Sequence, residues 1–177
     1  VRRGAKSRGH RFAGLLLAGG ITGVAGVVAA HPEALASGEL APRPLSSLPA
    51  DLQALAHALE AHGFRVLLAL PPQRQSYGLF DARRRTLWIS PLSFELGIGR
   101  ATFLHEATHA VQSCPDGVVR PIGWHFSLDP AVARGISALL INGYQHADRG
   151  AEQEAFALQG QPDAVPRLLT ALRQRCR

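Results

Sequence analysis

FLHEATHAVQ, residues 103–112, sets two histidines four positions apart with a glutamate beside the first. On a helix, at about 100° per residue, His105 and His109 leave the same side one turn apart, so two imidazoles can reach one tetrahedral metal ion. Ala101, Leu104, Thr108 and Val111 form an apolar stripe, and Thr102, His105, His109 and Gln112 form the polar stripe beside it. This division calls for a helix anchored in a core on one face and turned toward a cleft on the other. Glu106 lies next to the first histidine, where a carboxylate can act as general base on a water bound to zinc and pass the proton to a leaving nitrogen.

Such a site needs a third protein ligand. Downstream candidates are His125, His146, Asp148, Glu152 and Glu154. In AEQEAFALQ (151–159), Glu152, Ala155, Phe156 and Gln159 share one helical face, and the small residues there allow close approach of a second helix.

HEATHAVQ followed by E-x-E-A-x-A resembles the gluzincin metallopeptidases, especially their minimal forms. The resemblance covers the pattern from about residue 50 to 160 and is specific to the clan rather than to one family within it. It implies a zincin-like domain in which a backing helix and a small sheet precede the HExxH helix, and a glutamate on a following helix completes the site. It also implies His105, His109 and Glu152 as ligands of one zinc per chain, Glu106 as catalytic base, and a peptide or protein substrate. Glu154 is the alternative ligand. Many relatives carry Asp or Asn four residues after the ligand glutamate to orient a histidine. Phe156 stands there in this chain, so that task passes to Asp148, Gln159 or a backbone carbonyl. This departure favours the alternative reading, an exported zinc-binding or interaction domain without catalysis. Tyr144 and His146, with Arg149 and His125, are candidate donors to a developing oxyanion. In the related fold the strand nearest the cleft pairs with substrate backbone, and TLWIS (86–90) is the candidate for that edge.

The remaining pattern reads as α+β. A helix over 50–62 is followed by a short buried strand over 64–70 and a hairpin over 76–90. A loop then reaches Gly99, where the HEATH helix begins, and further helices cover about 130–142, 147–159 and 163 onward. Residues 50–177 form one domain of sufficient length for a real core.

Residues 12–30 are an uncharged apolar run behind a basic start, which reads as a signal peptide over 1–30 or, if uncleaved, as an N-terminal membrane anchor. Residues 31–49, rich in Pro, Ala and Ser, read as a linker. The domain is therefore expected outside the cytoplasm, secreted or periplasmic. Cys114 and Cys176 are the only cysteines, and an oxidising compartment favours a disulfide between them. The formal charge of +6 does not indicate nucleic-acid binding. Five of the 19 basic residues precede Glu33, the first acidic one, leaving 14 basic against 13 acidic side chains in the rest. With 46% hydrophobic and 18% charged residues, the chain is not a disordered polymer.

Overall fold

The computed structural model describes residues 41–73, 76–143 and 149–177, with side chains left aside over 139–143. The expected signal segment, most of the linker, and the candidates Tyr144, His146 and Asp148 lie outside the described residues. Within them the chain forms six α-helices and one three-stranded mixed sheet, an α+β arrangement.

Helix α1 (Ala50–Ala61) buries Leu52, Leu55, Ala56 and Leu59, the i, i+3, i+4, i+7 stripe of a helix with one face in the core. Gly63, at φ +81°, ends it. The Gly63 N–H donates to Glu60 and the Phe64 N–H to Leu59, a Schellman closure that needs a left-handed residue at that point. Arg85 completes the end from across the sheet. Its guanidinium donates to the carbonyls of His62 (2.7 Å) and Gly63 (3.2 Å) and lies 4.2 Å from the Phe64 ring centroid. Part of the expected linker belongs to the fold as well: Leu48 is in the core, and the Arg43 N–H donates to Leu68.

The strands are β1 (Arg65–Leu67), β2 (Gly78–Asp81) and β3 (Thr86–Ile89), in the order β1-β3-β2. β2 and β3 form the expected hairpin, whose turn is held by Asp81 Oδ1 accepting the backbone N–H groups of Arg83 and Arg84. β1 adds to β3 in parallel, pairing Val66 with Leu87. TLWIS is therefore the central strand, with both backbone edges paired, and cannot be the free edge expected of it. β1 and β2 are the outer strands, and β2 packs against the HEATH helix.

After β3 the expected loop contains a short helix, α2 (Pro91–Glu95), with proline in its first turn. Helix α3 (Gly99–Gln112) is the central element, with every residue from Thr102 to Gln112 buried. It touches α1, α2, β2, β3, α5 and α6. The expected open polar face is instead covered by α5 (Arg149–Gln159), the helix with which α3 makes its most extensive contact. Helix α4 (Pro130–Gly143) packs on α5, where Ile136 meets Phe156 in a small second cluster beside Leu128. Helix α6 (Ala164–Arg175) buries Val165, Leu168 and Leu172 against α1 and α3. The Cys114–Cys176 disulfide ties the end of α6 to the residue two beyond α3.

Candidate metal centre

Helix α3 presents His105 and His109 one turn apart, and α5 presents Glu152 from its first turn. Their donor atoms converge. His105 Nε2 lies 3.2 Å from Glu152 Oε2, His109 Nε2 lies 3.4 Å from Glu152 Oε1, and the two Nε2 atoms are 3.1 Å apart. Donors about 2.0–2.1 Å from a tetrahedral ion sit about 3.4 Å from one another, so the three groups are spaced as the edges of such a site. All three are buried, and together they form a group suited to a metal ion.

Hydrogen bonding supports the same fit. Glu152 meets the two imidazoles at ion-pair distance, and its two carboxylate oxygens are buried without a hydrogen bond of regular geometry. An orphaned buried carboxylate is costly unless a cation faces it. The outer nitrogens of the rings are held instead: His105 Nδ1 lies 3.2 Å from Gln159 Oε1, and His109 Nδ1 lies 2.8 Å from Gln112 Oε1. An amide oxygen only accepts, so each Nδ1 carries a hydrogen and each neutral ring turns an Nε2 lone pair inward. Two lone pairs and a carboxylate facing one point need a proton or a metal ion between them.

Without a metal, that proton is on His109. Burial is the largest single influence and would lower its pKa, but the charge and contact of Glu152, with the Glu106 charge and the Gln112 side chain, together outweigh it and raise the value to about 9. Burial would likewise raise the Glu152 carboxyl, yet the charge on His109 and contact with both rings hold it down at about 2. His105 is pushed down, by burial first and by repulsion from His109. One imidazolium and one carboxylate thus occupy the place of a cation and its ligand.

Glu106 is 1% exposed, and neither of its carboxylate oxygens has a hydrogen-bond partner. Burial pushes its carboxyl up to about 8; the positive His109 opposes this and the negative Glu152 adds to it. Strand β2 reaches it through Gly78, where a Cβ would stand 2.7 Å from Glu106 Oε1 and 2.7 Å from Thr102 Cγ2. The glycine is what allows the strand so close to the carboxylate.

Glu154 has a different place from the ligand role held open for it. Its carboxylate accepts the backbone N–H groups of Ile122, Gly123 and Trp124, each at 2.7 Å, and the Gln112 side-chain amide at 2.8 Å. Those four donors turn it away from the site and onto the loop between α3 and α4. Phe156 packs its ring 4.5 Å from that of His105, filling apolar space, while Gln159 supplies the polar partner. His125 is exposed and outside the ligand group. Arg149 opens α5, and its Nε is buried without a partner among the described residues.

Sequence reasoning named Gln159 among three options for orienting a histidine but missed Gln112 in that role. The available signal was its position three residues after His109 on the same polar stripe. Compared with protein-family models, curated proteins and solved structures, the chain matches none.

Proposed function

We propose that this chain is a zinc-dependent peptidase built like a minimal gluzincin and working outside the cytoplasm. The observation that carries the reading is the convergence of His105, His109 and Glu152 at 3.1–3.4 Å with Glu106 adjoining on the same helix. Two imidazoles and one carboxylate are a ligand set of catalytic zinc sites, which keep a fourth position open. When bound, zinc supplies Lewis-acid polarisation of a substrate carbonyl and lowers the pKa of water.

The protein's own groups do the rest. His105, His109 and Glu152 hold the ion, and Gln159 and Gln112 fix the ring orientations. Glu106 takes the proton from the attacking water and returns it to the leaving nitrogen. With a dication held there in place of the His109 proton, the raised Glu106 carboxyl would shift toward its charged, proton-accepting form. The Cys114–Cys176 disulfide is compatible with an extracytoplasmic location. Among the described residues no helix is long and apolar enough to cross a membrane.

The test is elemental analysis together with peptide hydrolysis. Wild type is expected to hold one zinc per chain and to cleave, and Glu106→Gln to hold zinc without cleaving. A metal-free preparation as active as the loaded one overturns the mechanism.

The burial of the site favours a second reading, an exported zinc-binding domain without hydrolysis. His105 is 3% exposed, Glu106 1%, and His109 and Glu152 0%. Full zinc occupancy with no cleavage across a broad peptide library would select it.

A further inference from the structure

We propose that Glu154 is a positioning residue for the metal centre, setting the orientation of His109 through Gln112 and making the Ile122–Trp124 loop part of the centre's scaffold. The inference rests on the metal-site reading and goes beyond the ligands and base to the groups behind them.

A carboxylate offers about four lone-pair sites. Glu154 fills them with four donors: the Ile122 N–H and the Gln112 amide on Oε2, and the Gly123 and Trp124 N–H groups on Oε1. Three successive backbone amides hold it in one orientation, and at 5% exposure little water competes for it.

The constraint then passes to Gln112. Its Nε2 donates to Glu154 at 2.8 Å and to the Ala151 carbonyl at 2.9 Å, so both amide hydrogens are used and the side chain cannot flip. Its Oε1 must then face His109 Nδ1, where it lies at 2.8 Å. That acceptor fixes the hydrogen on Nδ1 and points Nε2 into the site. Ala151 directly precedes Glu152, so the same amide also ties α3 to the ligand-bearing turn of α5. A charged acceptor behind the amide strengthens the whole run of bonds.

Glu154→Gln keeps the size but offers two donors of its own where four donors already converge, which frees Gln112 to turn. The experiment is zinc affinity by chelator competition for wild type, Gln112→Leu, Glu154→Gln and the double variant. It is paired with the ¹H–¹⁵N imidazole spectrum of each metal-free protein, in which His109 Nδ1–H is observed directly. Each single change is expected to weaken zinc binding by roughly 10–100-fold, the usual effect of losing a group that orients a ligand. The double variant is expected to be no weaker than Gln112→Leu alone, because Glu154 acts through Gln112. The hydrogen-bonded Nδ1–H signal of His109 is expected in wild type, absent in Gln112→Leu and displaced in Glu154→Gln.

Zinc affinity within twofold of wild type in a folded Glu154→Gln protein overturns the proposal, as do additive losses in the double variant. If wild type binds no zinc, the metal reading fails on its own. The His109 signal then decides the relay, and an unchanged signal in Glu154→Gln rejects it. If Glu154→Gln does not fold, the exchanged pair Gln112→Glu with Glu154→Gln serves instead, since it returns an acceptor to His109 Nδ1 and a donor to that acceptor. Recovery of the His109 signal in the exchanged pair supports the relay; a folded pair without it overturns the relay.

Discussion

His105 and His109 face each other through their Nε2 atoms at 3.1 Å, with their Nδ1 atoms held from behind by two glutamines. The pair is set up to share one positive charge, and each property expected of the site follows from what supplies that charge.

Removal of a ligand is expected to act on both metal and fold. Glu152→Ala should abolish stoichiometric zinc and, in metal-free protein, leave His109 buried without its carboxylate, at a cost of about 3–5 kcal/mol. His105→Ala should abolish zinc with a smaller effect on the metal-free fold, because burial already disfavours its charged form. Elemental analysis and thermal unfolding in chelator check both. Zinc at about 100 times its Kd should add about 2.7 kcal/mol to wild type and nothing to either variant.

Stability of the metal-free protein is expected to fall as pH rises. The His109 pKa goes from 6.5 to about 9 on folding, so its contribution is complete below 6.5 and is lost as pH climbs through 9. Glu106 goes from 4.5 to about 8 and changes in the same direction, losing its contribution between those values. Glu152 is depressed to about 2, so its contribution is present above 4.5 and disappears only as pH falls toward 2. Melting temperature in chelator should therefore decline between about pH 4.5 and 9, most steeply from 6.5 to 8 where both groups contribute, and Glu106→Gln should decline less steeply and only above about 6.5. Zinc uptake at pH 7 should release up to two protons, one from His109 and one from Glu106, and only the first in Glu106→Gln, measurable by calorimetry in buffers of different ionisation heat.

Gly78→Ala should separate catalysis from metal binding. The added methyl meets Thr102 and Glu106 at 2.7 Å, so the strand must withdraw or the carboxylate must turn. A stability loss of about 1–3 kcal/mol is expected, with zinc content retained and hydrolysis reduced more than tenfold. Unchanged turnover would show that the strand gives way and that Glu106 does not depend on its close approach.

Cys176→Ser should lower stability by about 4 kcal/mol, the chain-entropy value for a loop of 62 residues. Urea unfolding of oxidised wild type against the variant measures it. Zinc stoichiometry should persist, since all three ligands belong to α3 and α5.

Much of this was legible in the chain. Leu52, Leu55 and Leu59 announce α1, Gly63 its end, and the run on either side of Asp81 the β2–β3 hairpin, because each depends on neighbours a few residues apart. Local pattern does not say which strand lies between which. The parallel pairing of Val66 with Leu87 bridges 21 residues of sequence, and it is what moved TLWIS from edge to centre. Helix α2 was missed because five residues are too few to show a period. At the site, the HExxH spacing fixed the two histidines and their neighbour, while the face shared by Glu152 and Gln159 suggested what α5 brings. Glu154 was beyond reach of that reasoning. Its three backbone donors come from a loop 30–32 residues away, and nothing in their side chains reveals that their N–H groups turn toward a carboxylate.

The disulfide encloses the stretch from Cys114 to Cys176, which contains Glu152, while His105 and His109 lie just outside it. A single backbone cut anywhere in that stretch, including its exposed loop at 115–118, yields two fragments that stay one molecule. Where the cut falls before Glu152, the histidine-bearing and glutamate-bearing pieces are still joined through Cys114 and Cys176. Nicking there by a neighbouring protease would leave the two halves of the candidate metal site covalently tethered.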